Sequence, residues 1–161
     1  MTISLLMTMN FPDLPTESSA PKIEVFNTSG IELPFDSSVI PTIVRKIELG
    51  ENVRYQNLEI VFVDEKEIVE INEEHLDRDY ITDIITFRYD EDTSNQQIEG
   101  TLYCCAPRIK EQGKEFAKSE REEFLRVVIH GFIHLIGYDD STDDQKAIMT
   151  NLEDKYLGKL P

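Results

Sequence analysis

The chain has 161 residues, 40% hydrophobic and 30% charged, which is enough for one globular domain with its own core. No stretch approaches the ~20 apolar residues of a membrane span, which excludes an integral helical membrane protein. Thirty-two acidic residues against 16 basic ones give a net charge of −16. That balance argues against free, sequence-independent nucleic-acid binding, which draws on clustered Lys and Arg, so any such contact needs a local cationic feature or a partner.

Residues 1–21 contain three prolines and no Lys or Arg. They lack the charged start and long apolar core of a secretory signal, and they read as a disordered N-terminal extension. The folded domain is expected over 22–161. Residues 23–27 suggest a strand. Ile40, Ile43, Val44 and Ile47 recur at helical spacing over 38–49, with Pro41 in the first turn and Gly50 expected to close the helix. Leu58 to Val63 is a strongly apolar strand, and Asp64 with Glu67 caps a short helix reaching about Glu74. Strands follow at Ile84–Tyr89 and Ile98–Cys105, joined by the polar loop Asp90–Gln97.

Cys104 and Cys105 are adjacent and so poorly placed to pair. They fit small packing residues on opposite faces of a strand in a reducing compartment, and a cytoplasmic location is expected. Pro107 opens a helix bearing Lys110, Lys114 and Lys118 at four-residue spacing, flanked by Arg108 and Arg121. This stripe is either a solvated face stabilised by ion pairs or an RNA contact. Ser119 and Glu122 form the pattern of a capping box for the next helix, which is apolar on nearly all sides from Phe124 to Ile136 and is expected to be central and buried. Thr142 and Gln145 repeat the pattern for a last helix whose Ile148, Met149, Leu152 and Tyr156 should cover the core.

The central helix carries His130 and His134, one turn apart and so on one face. Gly137 can take the left-handed conformation that ends a helix and turns the chain back, which makes Asp140 the natural third ligand. Two imidazoles, a carboxylate and an open fourth position suit one Zn²⁺. The same spacing occurs in metzincin peptidases, which place a Glu base directly after the first histidine. Here that position is Gly131, and peptidase activity is disfavoured. Asp139 is a candidate acceptor for an imidazole N–H. The opposing possibility is a vestigial site in which the histidines serve packing. Isolated His75, at a helix end, fits surface packing.

The run from His130 to Asp140 resembles the signature of the YbeY family of endoribonucleases, in which a third histidine stands where this chain has Asp140. The resemblance extends to Asn72, to Thr82 through Phe87, to Gly100 through Leu102, and to Met149 and Glu153, covering about residues 22–157. With the elements above it implies an α+β single domain: a mixed sheet of about four strands packed by about five helices, with the metal site at the C-terminal end of the central buried helix. It further implies a zinc-dependent, single-strand-specific endoribonuclease acting in rRNA maturation and ribosome quality control, with rRNA and small-subunit ribosomal proteins as partners. The family's phosphate-binding arginine falls on Leu76, which leaves Arg78 as the candidate substitute, and Thr101 replaces an acid. Arg126, one turn before His130, would reach a substrate phosphate or pair with Glu122 or Glu123. Two other functions stand beside the nuclease: a non-catalytic, zinc-stabilised ribosome-assembly factor, and a zinc hydrolase of another substrate class using Asp83 as base.

Overall fold

Period-two alternation along the most apolar strand determines how the layers stack. In the computed structural model, which describes residues 20–158 and 160, Tyr55, Leu58, Ile60 and Phe62 of β2 (Tyr55–Val63) are buried in the main core. Val61 and Val63 turn to a second, smaller cluster on the opposite face. A register shift between Tyr55 and Asn57 lets both Tyr55 and Leu58 face inwards despite their odd spacing. This irregularity, with polar Gln56 and Asn57 beside it, conceals the first three residues of a strand expected to start at Leu58.

β2 lies between β1 (Lys22–Asn27) and β4 (Ile98–Cys105), both parallel to it, and β3 (Ile84–Arg88) pairs antiparallel with β4 at the edge. The sheet is thus mixed and four-stranded, in the order β1-β2-β4-β3. Five helices complete the described residues: α1 (Val39–Glu51), α2 (Glu65–Leu76), α3 (Ala106–Glu115), α4 (Glu120–Leu135) and α5 (Asp143–Leu157). Residues 1–19, most of the expected extension, lie outside the described residues. No described helix is long and apolar enough to cross a membrane.

Helix ends differ from expectation for identifiable reasons. Gly50 lies inside α1, and Asn52 with φ 55° ends it. The glycine is there for packing, since a Cβ at 50 would overlap the Tyr156 ring from α5. α2 runs on to Leu76 and is capped by Asp77 in the left-handed region, while Asp64 accepts the Glu67 N–H at its start. α3 stops at Glu115, so Lys118 is not on it and the three lysines do not share one helix face.

α4 is the axis of the main core. Phe124, Leu125, Val128, Ile129, Phe132 and Ile133 are fully buried between sheet and helices, each contributing roughly 1.5–3 kcal/mol by burial. The Tyr55 hydroxyl donates to the Phe132 carbonyl at 2.8 Å, which ties β2 to this helix. Close approach of helix to sheet depends on Gly131, where a Cβ would stand 2.6 Å from both Ile84 Cδ1 and Leu102 Cδ2. Cys104 joins the main core and Cys105 the smaller cluster, on opposite faces as expected. Glu122 completes only part of its expected box: Ser119 accepts its N–H at 3.0 Å, and its carboxylate lies 3.8 Å from Lys118. The Thr142–Gln145 capping box is complete.

Candidate metal centre

Helical periodicity brings His130 and His134 together: their Nε2 atoms are 2.9 Å apart and the rings meet edge to face. Gly137 has φ +107°, and the turn it allows returns the chain so that Asp140 Oδ2 stands 3.3 Å from His130 Nε2 and 3.5 Å from His134 Nε2. The three candidate ligand atoms all lie within 4.8 Å of one another. Ligands about 2.0–2.1 Å from a tetrahedral ion stand roughly 3.3–3.4 Å apart, so the observed spacings suit a single ion.

The opposite edges of the imidazoles fix their tautomers. Glu153 Oε2 lies 2.7 Å from His130 Nδ1, and the Tyr138 carbonyl lies 2.9 Å from His134 Nδ1. Both partners only accept, so each Nδ1 carries the proton and each Nε2 presents a lone pair. With both imidazoles neutral, two lone pairs and a carboxylate oxygen converge with no hydrogen between them. That arrangement repels itself unless a cation occupies the middle, and the residues therefore fit a metal. Burial opposes a positive His130, but the Glu153 hydrogen bond and the charges of Asp140 and Asp83 outweigh it and raise its pKa. A metal ion competes with that proton.

Asp139 does not serve either histidine. Its carboxylate accepts the Asp140 N–H at 2.8 Å and faces the Ser141 hydroxyl at 3.1 Å, shaping the turn that delivers Asp140. Its expected role belongs to Glu153, which reaches across from α5. Glu153 also takes Arg126: Nη1 donates to Glu153 Oε1 at 3.2 Å, and Nη2 donates to Asp154 at 2.7 Å. Arg126 thus pairs with α5, not with Glu122 or Glu123, and its outer nitrogens are committed to acids. His75 packs edge-on against Phe87, 5.1 Å between centroids.

Sequence reasoning missed how the end of α4 is held. Arg88 grips Asp90 through two hydrogen bonds of 2.9 and 2.8 Å, donates to Asn95 Oδ1 at 2.8 Å, and donates to the Leu135 carbonyl at 2.8 Å. Asn95 Nδ2 donates to the Ile136 carbonyl at 3.1 Å. The end of β3 and the β3–β4 loop therefore satisfy carbonyls that the helix leaves unpaired, beside the ligands. Tyr138 is anchored as well, its hydroxyl donating to Glu51 at 2.9 Å.

The ligands open onto a cavity of about 340 Å³ also lined by Asn72, Leu76, Arg78, Tyr80, Asp83 and Thr86. Arg78 is thus in the site region, and Leu76 shares it. Thr101 is buried at 2% exposure, where a charged acid would be costly. Two of the three lysines of the stripe lie beside acids, Lys110 3.7 Å from Glu120 and Lys118 3.8 Å from Glu122, and Arg108 bonds Glu111 and Glu115. These contacts fit the solvated, ion-paired face.

Comparison with known proteins adds an independent line. A family model described as Endoribonuclease YbeY matches residues 29–161. Endoribonuclease YbeY from Chlorobium phaeobacteroides (strain BS1) is 37% identical over 139 residues, covering 86% of this chain and 97% of that protein. The protein of the same name from Chlorobaculum tepidum is 33% identical over 138 residues, with coverage of 86% and 97%. Among solved structures, the solution structure of TM1509 from Thermotoga maritima aligns with a TM-score of 0.56 at 27% identity, covering 86% of this chain and 88% of that one.

Proposed function

The chain belongs to the endoribonuclease YbeY family, and from that premise we propose that it is a metal-dependent endoribonuclease acting on single-stranded RNA in rRNA maturation. The observation that carries the metal dependence is the convergence of two bare imidazole nitrogens and the Asp140 carboxylate, with both Nδ1 atoms committed elsewhere. We assign His130, His134 and Asp140 as ligands, and Zn²⁺ as the ion that suits two nitrogens and one oxygen. When bound, the ion supplies Lewis acidity towards a phosphodiester.

The chain's own residues do the rest. Arg78 lines the cavity and is the guanidinium available to orient a phosphate, in place of the cation that Leu76 lacks. Asp83 lines it too and is steadied by Gln112 Nε2, 3.2 Å from Oδ2, so it is the carboxylate available to take a proton from the hydroxyl that bonds to phosphorus as the P–O bond to the leaving oxygen breaks. Glu153 and the Tyr138 carbonyl keep both imidazoles in the ligating tautomer. Delivery of rRNA to so acidic a chain falls to small-subunit ribosomal proteins in the cytoplasm, since Lys110 and Lys118 of the stripe lie beside acids. A role in ribosome quality control follows from the same substrate.

One observation favours a second function. Leu76 and Asp140 weaken phosphate binding and metal acidity relative to the family pattern, as expected of a zinc-stabilised assembly factor that no longer cuts. A peptidase-like hydrolase is disfavoured, because the tight approach at Gly131 leaves no room for a glutamate there. Metal analysis of freshly purified protein, with cleavage of unstructured and duplex RNA with and without chelator, separates these functions. The nuclease gives one metal per chain and chelator-sensitive cleavage of the unstructured RNA, and His134→Ala abolishes both. Stoichiometric metal without cleavage supports the assembly factor.

A further inference from the structure

The rim of the metal cavity carries two exposed apolar side chains that hold no cation: Tyr80, 52% exposed, and Leu76, 40% exposed. A solvent-exposed tyrosine on a connecting segment is ordinarily unremarked, because such segments move. Here the segment is pinned from beneath. Asn72, 1% exposed, donates from Nδ2 to the Tyr80 carbonyl at 2.9 Å, and its backbone carbonyl accepts the N–H groups of Asp77 and of Arg78, the latter at 3.2 Å. One buried asparagine thereby fixes both ends of the stretch that presents Arg78 and Tyr80 to the cavity.

We infer that Tyr80, held beside Arg78 and the histidine–aspartate cluster by buried Asn72, is a stacking platform for an unpaired nucleobase next to the phosphodiester that is cut. This rests on the endoribonuclease function proposed above. The charge of the chain favours such a platform. At a net charge of −16 little affinity comes from counterion release, and Arg78 is the one fixed cation among the described residues lining the cavity. A base stacked on an aromatic ring gains affinity without Coulombic help and without regard to sequence. Leu76 offers a second apolar surface at the same rim, where the resembling family has a cation. Stacking also demands that the base leave any helix, so the platform selects single strands over duplexes.

The test uses the full-length, metal-loaded protein and a fluorescent 2′-O-methyl decamer of mixed sequence, which cannot be cleaved through its 2′-position. Tyr80→Ala is expected to weaken binding about 5- to 150-fold, Tyr80→Phe to bind like wild type, and both to melt with it. Because stacking is not ionic, the Tyr80→Ala loss persists from 50 to 200 mM salt, whereas Arg78→Ala flattens the salt slope by about 0.7. A decamer with an abasic run in place of the bases should bind wild type and Tyr80→Ala alike. On cleavable RNA, Tyr80→Ala raises KM with kcat little changed. Equal decamer affinity of wild type and Tyr80→Ala, while wild type still cleaves RNA, overturns the platform and leaves the nuclease standing. A wild-type protein that neither binds nor cuts RNA overturns both.

Discussion

Replacing Glu153 by Gln removes one charge at nearly constant shape and puts the tautomer argument at risk. The carboxylate uses two oxygens for two donors, Oε2 facing His130 Nδ1 at 2.7 Å and Oε1 accepting from Arg126 Nη1 at 3.2 Å. A glutamine has one oxygen. If it keeps Arg126, its NH₂ faces His130, which drives the imidazole proton to Nε2 and occupies the lone pair a metal needs. If it keeps His130, its NH₂ faces a guanidinium. Losing such an acceptor weakens metal binding about 10- to 100-fold, or roughly 1.4–2.7 kcal/mol. At free metal 100 times the wild-type Kd, binding stabilises the wild type by about 2.7 kcal/mol and the variant by only about 0.4–1.4 kcal/mol. Zinc-titrated urea denaturation, with competition against a chromophoric chelator, measures both quantities. Metal affinity equal to wild type would show that Glu153 does not set the tautomer, and the case for a cation between the Nε2 atoms would lose its main support.

Three further outcomes follow from particular contacts. Gly131→Ala should destabilise by about 1–3 kcal/mol despite the better helix propensity of alanine, because its Cβ meets Ile84 and Leu102 at 2.6 Å; a higher urea midpoint would refute this. Leu76→Arg should tighten RNA binding and steepen its salt slope by about 0.7, read by anisotropy across a salt series, and an unchanged slope would place position 76 outside the phosphate path. Asp90 has its pKa held below the ordinary carboxylate value by hydrogen bonding to Arg88, with help from the Glu99 and Asp92 N–H groups, against burial. A depressed folded-state pKa gives stability that is present above the ordinary pKa of about 3.9 and lost as pH falls through the folded value. Asp90→Asn should therefore be less stable than wild type at pH 7, with the gap closing in acid; a gap independent of pH in urea denaturation contradicts the linkage.

The parts of the site that lie within one helical turn were legible in the sequence. His130 and His134 follow from periodicity alone, and Gly137 announces the reversal that returns Asp140. The parts that cross the fold were not. The family resemblance marks Glu153, but it sits 23 residues beyond His130 on another helix and no spacing rule assigns it to the imidazole, so the nearer Asp139 is the natural expectation. Its carboxylate is instead used within its own turn. Arg126 follows the same logic, since its local acids Glu122 and Glu123 were visible while its actual partners on α5 required the packing of two helices. Arg88 at the end of β3 carries no periodic signal, yet it closes the end of α4 through Leu135. A glycine near a helix end suggests a stop, whereas Gly50 makes room for Tyr156.

The acidity of the chain and its nucleic-acid chemistry are reconciled at the metal. Without a cation, Asp140 and Asp83 present negative charge to the cavity that a phosphate must enter, and Arg78 lines the same cavity. Two neutral imidazoles and one carboxylate around a divalent ion carry a net charge of about +1, so loading reverses the local sign. The negative end of the α4 dipole favours the ion in the same place. Metal and RNA binding are then coupled, and coupling is reciprocal: the factor by which metal tightens RNA is the factor by which RNA tightens metal. A coupling of about 1–3 kcal/mol corresponds to roughly 5- to 150-fold. Anisotropy with the 2′-O-methyl decamer on chelator-stripped and zinc-loaded protein gives one side of the cycle, and metal competition with and without RNA gives the other. Equal RNA affinity in the two states would mean that the phosphate does not approach the histidine–aspartate cluster, and the chemistry would have to be sought elsewhere on the molecule.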